Sequence, residues 1–160
     1  MAMDRTALAC ASRQIGFQLE LKANRILALR DLTGAQGHML QYILDHAQTG
    51  TSLTQIHKDF GYSKAALSAV LKQLRSKGYV RAEPCMQDDR KKLLFGTEKG
   101  RQLKSFLDQV FQEAGDQLFR DFSDPDLEEL DRIQQKMLRN LAQAADSVKN
   151  RDFDKEAITP

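Results

Sequence analysis

The chain has 160 residues, 41% hydrophobic and 29% charged, with a net charge of +2; this suits one domain, or one domain with extra helices for a partner chain, and is not the composition of a fibrous or disordered protein. No apolar run approaches the roughly 20 residues that cross a bilayer, and no signal-peptide core opens the chain, so a cytoplasmic location without a membrane partner is expected. The charge is uneven: residues 51–100 hold 10 cations against 5 acids, between a nearly neutral start and an acidic end, which implies one basic face.

From Thr6 to Arg30 there is no proline, and Leu8, Ile15, Leu19, Ile26 and Leu29 recur at helical spacings, so a long first helix is predicted. Thr33 and Gln36 have the spacing of a capping box, in which the hydroxyl accepts from a free backbone N–H and the amide reaches back. The second helix follows, with Leu40, Ile43, Leu44 and Ala47 on one side, and stops near Gly50. Ser52 and Gln55 repeat the spacing and open a short helix ending at Phe60-Gly61, where glycine adopts positive φ cheaply. Ser63 caps a fourth helix that Gly78 ends; its apolar stripe is Leu67, Val70, Leu71 and Leu74.

Tyr79 to Ala82 reads as a strand, 84–89 as a loop, and Lys92 to Phe95 as a returning strand whose Leu93 and Phe95 pack inward. Thr97 caps a long fifth helix running through Leu103, Leu107, Val110 and Phe111 to Phe122. Asp124 is the expected N-cap of a sixth helix, with Pro125 in its first position. The expected division is 1–32 as an N-terminal helix, 33–97 as a winged helix-turn-helix, 98–150 as C-terminal helices and 151–160 as a frayed tail. The fold class is mainly α with a small β-hairpin wing.

The middle of the chain carries the functional argument. On the fourth helix the stripe faces the core, leaving Lys64, Ala65, Ser68, Lys72 and Arg75 outward behind the capping Ser63. Short side chains let a helix approach the floor of a major groove, and its cations can meet phosphates. Arg90, Lys91 and Lys92 are read as the tip of the wing, suited to a narrow, negative minor groove, with Asp88 accepting from the Arg90 guanidinium. The plainer reading of that run is an edge hairpin using lysine against aggregation. A winged-helix module that binds protein and not DNA is the alternative function.

Four stretches resemble the MarR (multiple antibiotic resistance regulator) family: Leu32-Thr33-x-x-Gln36, Phe60-Gly61-Tyr62-Ser63-Lys64, Lys77-Gly78-Tyr79-Val80, and Asp88-x-Arg90 leading to Thr97-Glu98-Lys99-Gly100. The resemblance covers about residues 10–149. Gly96-Thr97 stands where the family usually has Leu-Thr, and Cys85-Met86-Gln87 where it has polar loop residues. The resemblance implies a homodimer, interlocked through its first, fifth and sixth helices, that represses or activates transcription. Two recognition helices about 34–36 Å apart would then require a pseudo-palindromic operator on double-stranded DNA. It also implies a small aromatic or phenolic effector, for which Arg13, Phe17, His38 and Tyr42 are candidates by position, and a redox role for Cys10, with Cys85 a second candidate. An inert thiol is the plainer reading of both.

No catalytic motif is visible: no GxSxG, HExxH or glycine-rich phosphate loop. His38, His46 and His57 share no helical spacing with one another or with either cysteine, so neither a metal nor a cofactor is expected.

Overall fold

The computed structural model describes residues 3–148; the expected tail, 151–160, lies outside them. Helix α1 (Arg5–Leu27) starts where the Asp4 carboxylate accepts the Thr6 N–H at 2.8 Å, and it runs into a single 3-10 turn, Ala28–Arg30. The chain then reverses at Asp31, which adopts φ 56°, a conformation aspartate tolerates better than most residues. Helix α2 (Gly34–Asp45) opens with the full capping box of Thr33 and Gln36. The Asn24 side-chain oxygen also accepts the Gly34 N–H at 2.6 Å, tying α1 to the start of α2.

Helices α3 (Leu53–Phe60) and α4 (Lys64–Ser76) follow, then strands β1 (Val80–Cys85) and β2 (Asp88–Gly96), paired antiparallel. Helices α5 (Glu98–Arg101), α6 (Lys104–Leu118) and α7 (Asp124–Val148) complete the order. Leu27, Leu40, Ile43, Ile56, Leu74, Leu94 and Leu107 are fully buried in one core, contributed by α1, α2, α3, α4, β2 and α6. Each such side chain contributes about 1.5–3 kcal/mol through burial, so the core fixes which face of α4 remains outside.

Four expectations are corrected. Both strands are longer than predicted, and the loop at 84–89 shrinks to a two-residue turn, Met86-Gln87. Proline reads as a loop signal, but Pro84 sits in one strand of a two-stranded sheet, whose free edge needs no donor. Leu94, not Leu93 or Phe95, fills the core, because an isolated bridge between Thr51 and Leu94 sets the strand's phase. The fifth helix is broken: Thr97 caps the short α5, and a turn at residues 102–103 precedes α6.

The fourth correction concerns α7. Its cap is Ser123, one residue earlier than expected: Ser123 Oγ accepts from the Asp126 N–H, and the Asp126 carboxylate accepts from the Ser123 N–H at 2.9 Å and from its hydroxyl. The Ser123 hydroxyl and then its backbone N–H hold the Asp126 carboxyl below its ordinary pKa.

The chain divides into two compact units, Met1–Asp116 and Gln117–Pro160, with the division inside α6. In the second, Phe119 and Phe122 meet edge to face at 5.6 Å before the turn into α7. Ile133, Met137, Leu138 and Leu141 of α7 are exposed.

Candidate nucleic-acid interface

Helix α3 ends at Gly61, whose φ of 72° turns the chain within one residue. The His57 ring N–H donates to the Tyr62 carbonyl across that turn, and Ser63 Oγ accepts the Ala66 N–H at 3.1 Å to start α4. Leu67 and Leu74 are buried and Val70 and Leu71 half-buried, so Ser63, Lys64, Ala65, Ser68, Lys72 and Arg75 stand exposed on the opposite side. Among the described residues no carboxylate pairs with Lys64, Lys72 or Arg75. The far end of α4 is held from behind. Gln36 donates to Gln73 at 2.6 Å, while the Lys77 ammonium reaches the Asp31 backbone carbonyl and, at 3.3 Å, the Asp31 carboxylate.

The wing differs from its sequence reading. Pro84 pairs with Lys92 but Cys85 pairs with Asp88, so Asp89, Arg90 and Lys91 have no partners on β1 and form a bulge. Two local causes converge there: Pro84 has no N–H for the ladder, and Asp88 Oδ1 accepts the Arg90 backbone N–H at 3.0 Å. Asp88 therefore holds the backbone and not the guanidinium. The cations lie along β2, short of the tip, which is Met86-Gln87; Met86 is 99% exposed. A bulge re-aims side chains, and Arg90 and Lys91 within this one are both exposed.

Two grooves flank α4. One, of about 580 Å³, lies between α4 and β1 and includes Ser68, Lys72, Arg75 and Arg81. The other, of about 270 Å³, lies between the start of α3, the end of α4 and β2. Sequence reasoning missed Arg81, which pairs with Glu83 and stacks its guanidinium 4.9 Å from the Phe95 ring centre. A cation in a short strand carries no signal until the register is known.

The pocket that His38 lines does not include Arg13, Phe17 or Tyr42. An enclosed apolar pocket of about 130 Å³ between α2, α3 and α4 is lined by His38, Ile56, Phe60, Tyr62 and Val70, among others. His38 stacks on Phe111 at 4.2 Å. Burial lowers its pKa against an opposing pull from Glu20, and burial, then Glu20, raises that of Tyr62. The Tyr42 hydroxyl donates to the Asp59 carboxylate, and its ring stacks on His46 at 4.1 Å. Arg13 and Phe17 are exposed on α1, as is Cys10; Cys85 is half-buried at the end of β1. Among the described residues no three His, Cys, Asp or Glu side chains converge as metal ligands.

Residues 30–91 match the model of the MarR family. Of the cations on the outer face of α4 and on the wing, all but Lys92 fall inside that matched segment. The whole fold is similar to solved structures. One is a MepR–DNA complex of S. aureus, 27% identical, covering 82% of this chain and 94% of that one with a TM-score of 0.76. MepR of S. aureus in a DNA-binding conformation is 28% identical, over 84% and 98% of the two chains, at 0.77. A putative MarR family transcriptional regulator from Listeria monocytogenes, complexed with 26mer DNA, is 20% identical, over 99% and 100%, at 0.79. No curated protein matches the chain.

Proposed function

We propose that this chain is a sequence-specific double-stranded DNA-binding transcriptional regulator that works as a homodimer. One observation carries the reading. Six cations without carboxylate partners among the described residues, Lys64, Lys72, Arg75, Arg90, Lys91 and Lys92, stand exposed on the outer face of α4 and on the adjoining wing, in and beside a MarR segment. DNA in the MepR and Listeria structures supports it. Helix α4 would enter a major groove by its N-terminal end, with Ala65 and Ser68 toward the bases and Lys64, Lys72 and Arg75 on phosphates.

The exposed apolar residues of α1 (Leu8, Ile15, Phe17) and of α7 (Ile133, Met137, Leu141) support a second copy as the partner. Two copies call for a pseudo-palindromic operator. Such a protein acts in the cytoplasm on chromosomal DNA, by binding and not by catalysis.

A ligand- or stress-responsive repressor is the finer form of the reading. The pocket between α2, α3 and α4 supports a small aromatic or phenolic effector at His38, but its volume is below the roughly 300 Å³ of ordinary ligand sites. Effector binding must therefore open it or use space supplied by the second copy, with Arg13 and Phe17 on α1 as candidates there. An effector acts only through its differential affinity for the two states. Peroxide treatment that releases operator DNA from the wild type and not from Cys10→Ser would mark a redox input.

Selection from random duplex DNA, followed by a salt titration, tests the main reading. Enrichment of a pseudo-palindrome is expected, with log K falling against log salt by about 0.9 per phosphate contact. No enrichment and a flat salt dependence would favour the protein-interaction module.

A further inference from the structure

We infer that Thr54, Arg75 and Lys92 together seat one DNA backbone phosphate in the groove where α3, α4 and the wing meet. This rests on the DNA-binding reading and goes beyond it, because it gives the cations of the wing a different target from the floor of the minor groove. The groove is bordered by Ser52, Thr54, Arg75, Arg90, Lys91 and Lys92, and no acidic side chain lines it. Its floor is apolar, made by Leu53, Leu71 and Leu94. Charges over an apolar floor are less screened than charges in open water, so an anion placed there is held more strongly.

Three stretches far apart in the sequence converge on this groove, and each leaves a free group. Among the described residues, Arg75 and Lys92 make no ion pair, and the Thr54 hydroxyl, exposed, makes no hydrogen bond. Ser52 Oγ is already engaged with the Gln55 N–H at 3.2 Å. The bulge explains how the wing contributes. Lys92 is the first β2 residue of the regular register, opposite Pro84, and the bulge lies immediately before it. The uncharged tip, Met86-Gln87, lies beyond these cations.

The ligand is a phosphate of a continuous strand and not an isolated anion, because Arg75 lines both grooves beside α4. A backbone passing Ser68 and Lys72 in the first groove would reach Thr54 and Lys92 in the second, one phosphate following another.

The test is a double-mutant cycle on the full chain with a duplex the wild type binds. Arg75→Gln and Lys92→Gln should each weaken binding about tenfold, and the pair about twentyfold, where independent contacts would give about a hundredfold. Lys64→Gln combined with Lys92→Gln should multiply. Thr54→Val should weaken binding and Thr54→Ser restore it, with melting temperatures unchanged because all these positions are exposed. A single methylphosphonate per half-site should weaken the wild type about twentyfold but Arg75→Gln and Lys92→Gln only about twofold further.

Multiplying effects of Arg75→Gln and Lys92→Gln, or an inert Thr54→Val, would overturn the seat while the wild type still binds duplex. Failure of the wild type to bind any duplex at low salt overturns the seat and the DNA reading together. Inorganic phosphate that raises the melting temperature, with DNA affinity indifferent to every substitution, would replace the seat with a free-anion site.

Discussion

Gln36 Nε2 donates to Gln73 Oε1 at 2.6 Å, joining the first turn of α2 to the last turns of α4. Gln36 is only 3% exposed, and its oxygen accepts from the Thr33 N–H at 3.2 Å and from the Lys77 ammonium at 3.3 Å. One buried amide thus closes a helix cap and fixes the angle of the outward-facing helix. Gln36→Leu would remove hydrogen bonds to three partners that are themselves exposed or half-exposed, and a typical intramolecular hydrogen bond contributes about 0.5–1.5 kcal/mol. Denaturant unfolding should show a loss in that range, and a cycle with Gln73→Ala should show coupling of at least about 0.5 kcal/mol. Strict additivity would mean the contact does not matter.

Gly100 sits where α5 packs against the strand entry. A Cβ there would stand well inside contact distance of the Tyr79 carbonyl oxygen. That oxygen already accepts the Thr97 N–H at 3.0 Å, so it is not free to move aside. Gly100→Ala should therefore destabilise, by about 1–3 kcal/mol, although alanine is the better helix former. A melting temperature that rises would show that the cap and the strand separate easily.

His38 supplies a pH dependence of definite sign. Burial lowers its folded pKa, against Glu20, so below about pH 6.5 the unfolded chain binds the proton more readily. Its contribution is complete above that pH and declines as the pH falls toward the folded value. Stability measured between about pH 5 and 8 should fall on acidification in the wild type, and His38→Gln should flatten the slope near pH 6. An unchanged slope in the variant would assign the effect to other groups.

These positions show what a sequence can and cannot reveal. Thr33, Ser52 and Ser63 cap the helices expected of them, and Thr97 is a cap although its helix is the short α5, because a cap is a bond between residues three apart. The buried stripe of α4 follows from period alone, and with it the exposure of Lys64, Ser68, Lys72 and Arg75. What depends on pairing was illegible. The bulge needs the register of Pro84 and Lys92, the inward phase of Leu94 needs its bridge to Thr51, and the link from Gln36 to Gln73 spans 37 positions. Near misses came where neighbours compete: Ser123 and Asp124 can both cap α7, and the serine does so because Asp126 answers it.

Asp88 separates structure from function in the wing. Its carboxylate accepts the Arg90 N–H in an exposed turn, and an exposed hydrogen bond of this kind contributes about 0.5–1.5 kcal/mol. Hairpin pairing elsewhere, from Val80 with Gly96 to Glu83 with Leu93, does not depend on it. Asp88→Ala should therefore lower the melting temperature little, yet free the bulge that aims Arg90 and Lys91. Removing a carboxylate from a basic wing would, by charge alone, strengthen binding to duplex DNA. Geometry and charge thus predict opposite signs. If the bulge is what positions the cations, Asp88→Ala should weaken operator binding despite the added net positive charge, and Asp88→Asn, which keeps the acceptor and loses the charge, should bind at least as tightly as the wild type. Equal strengthening by both variants would show that only charge at this position matters.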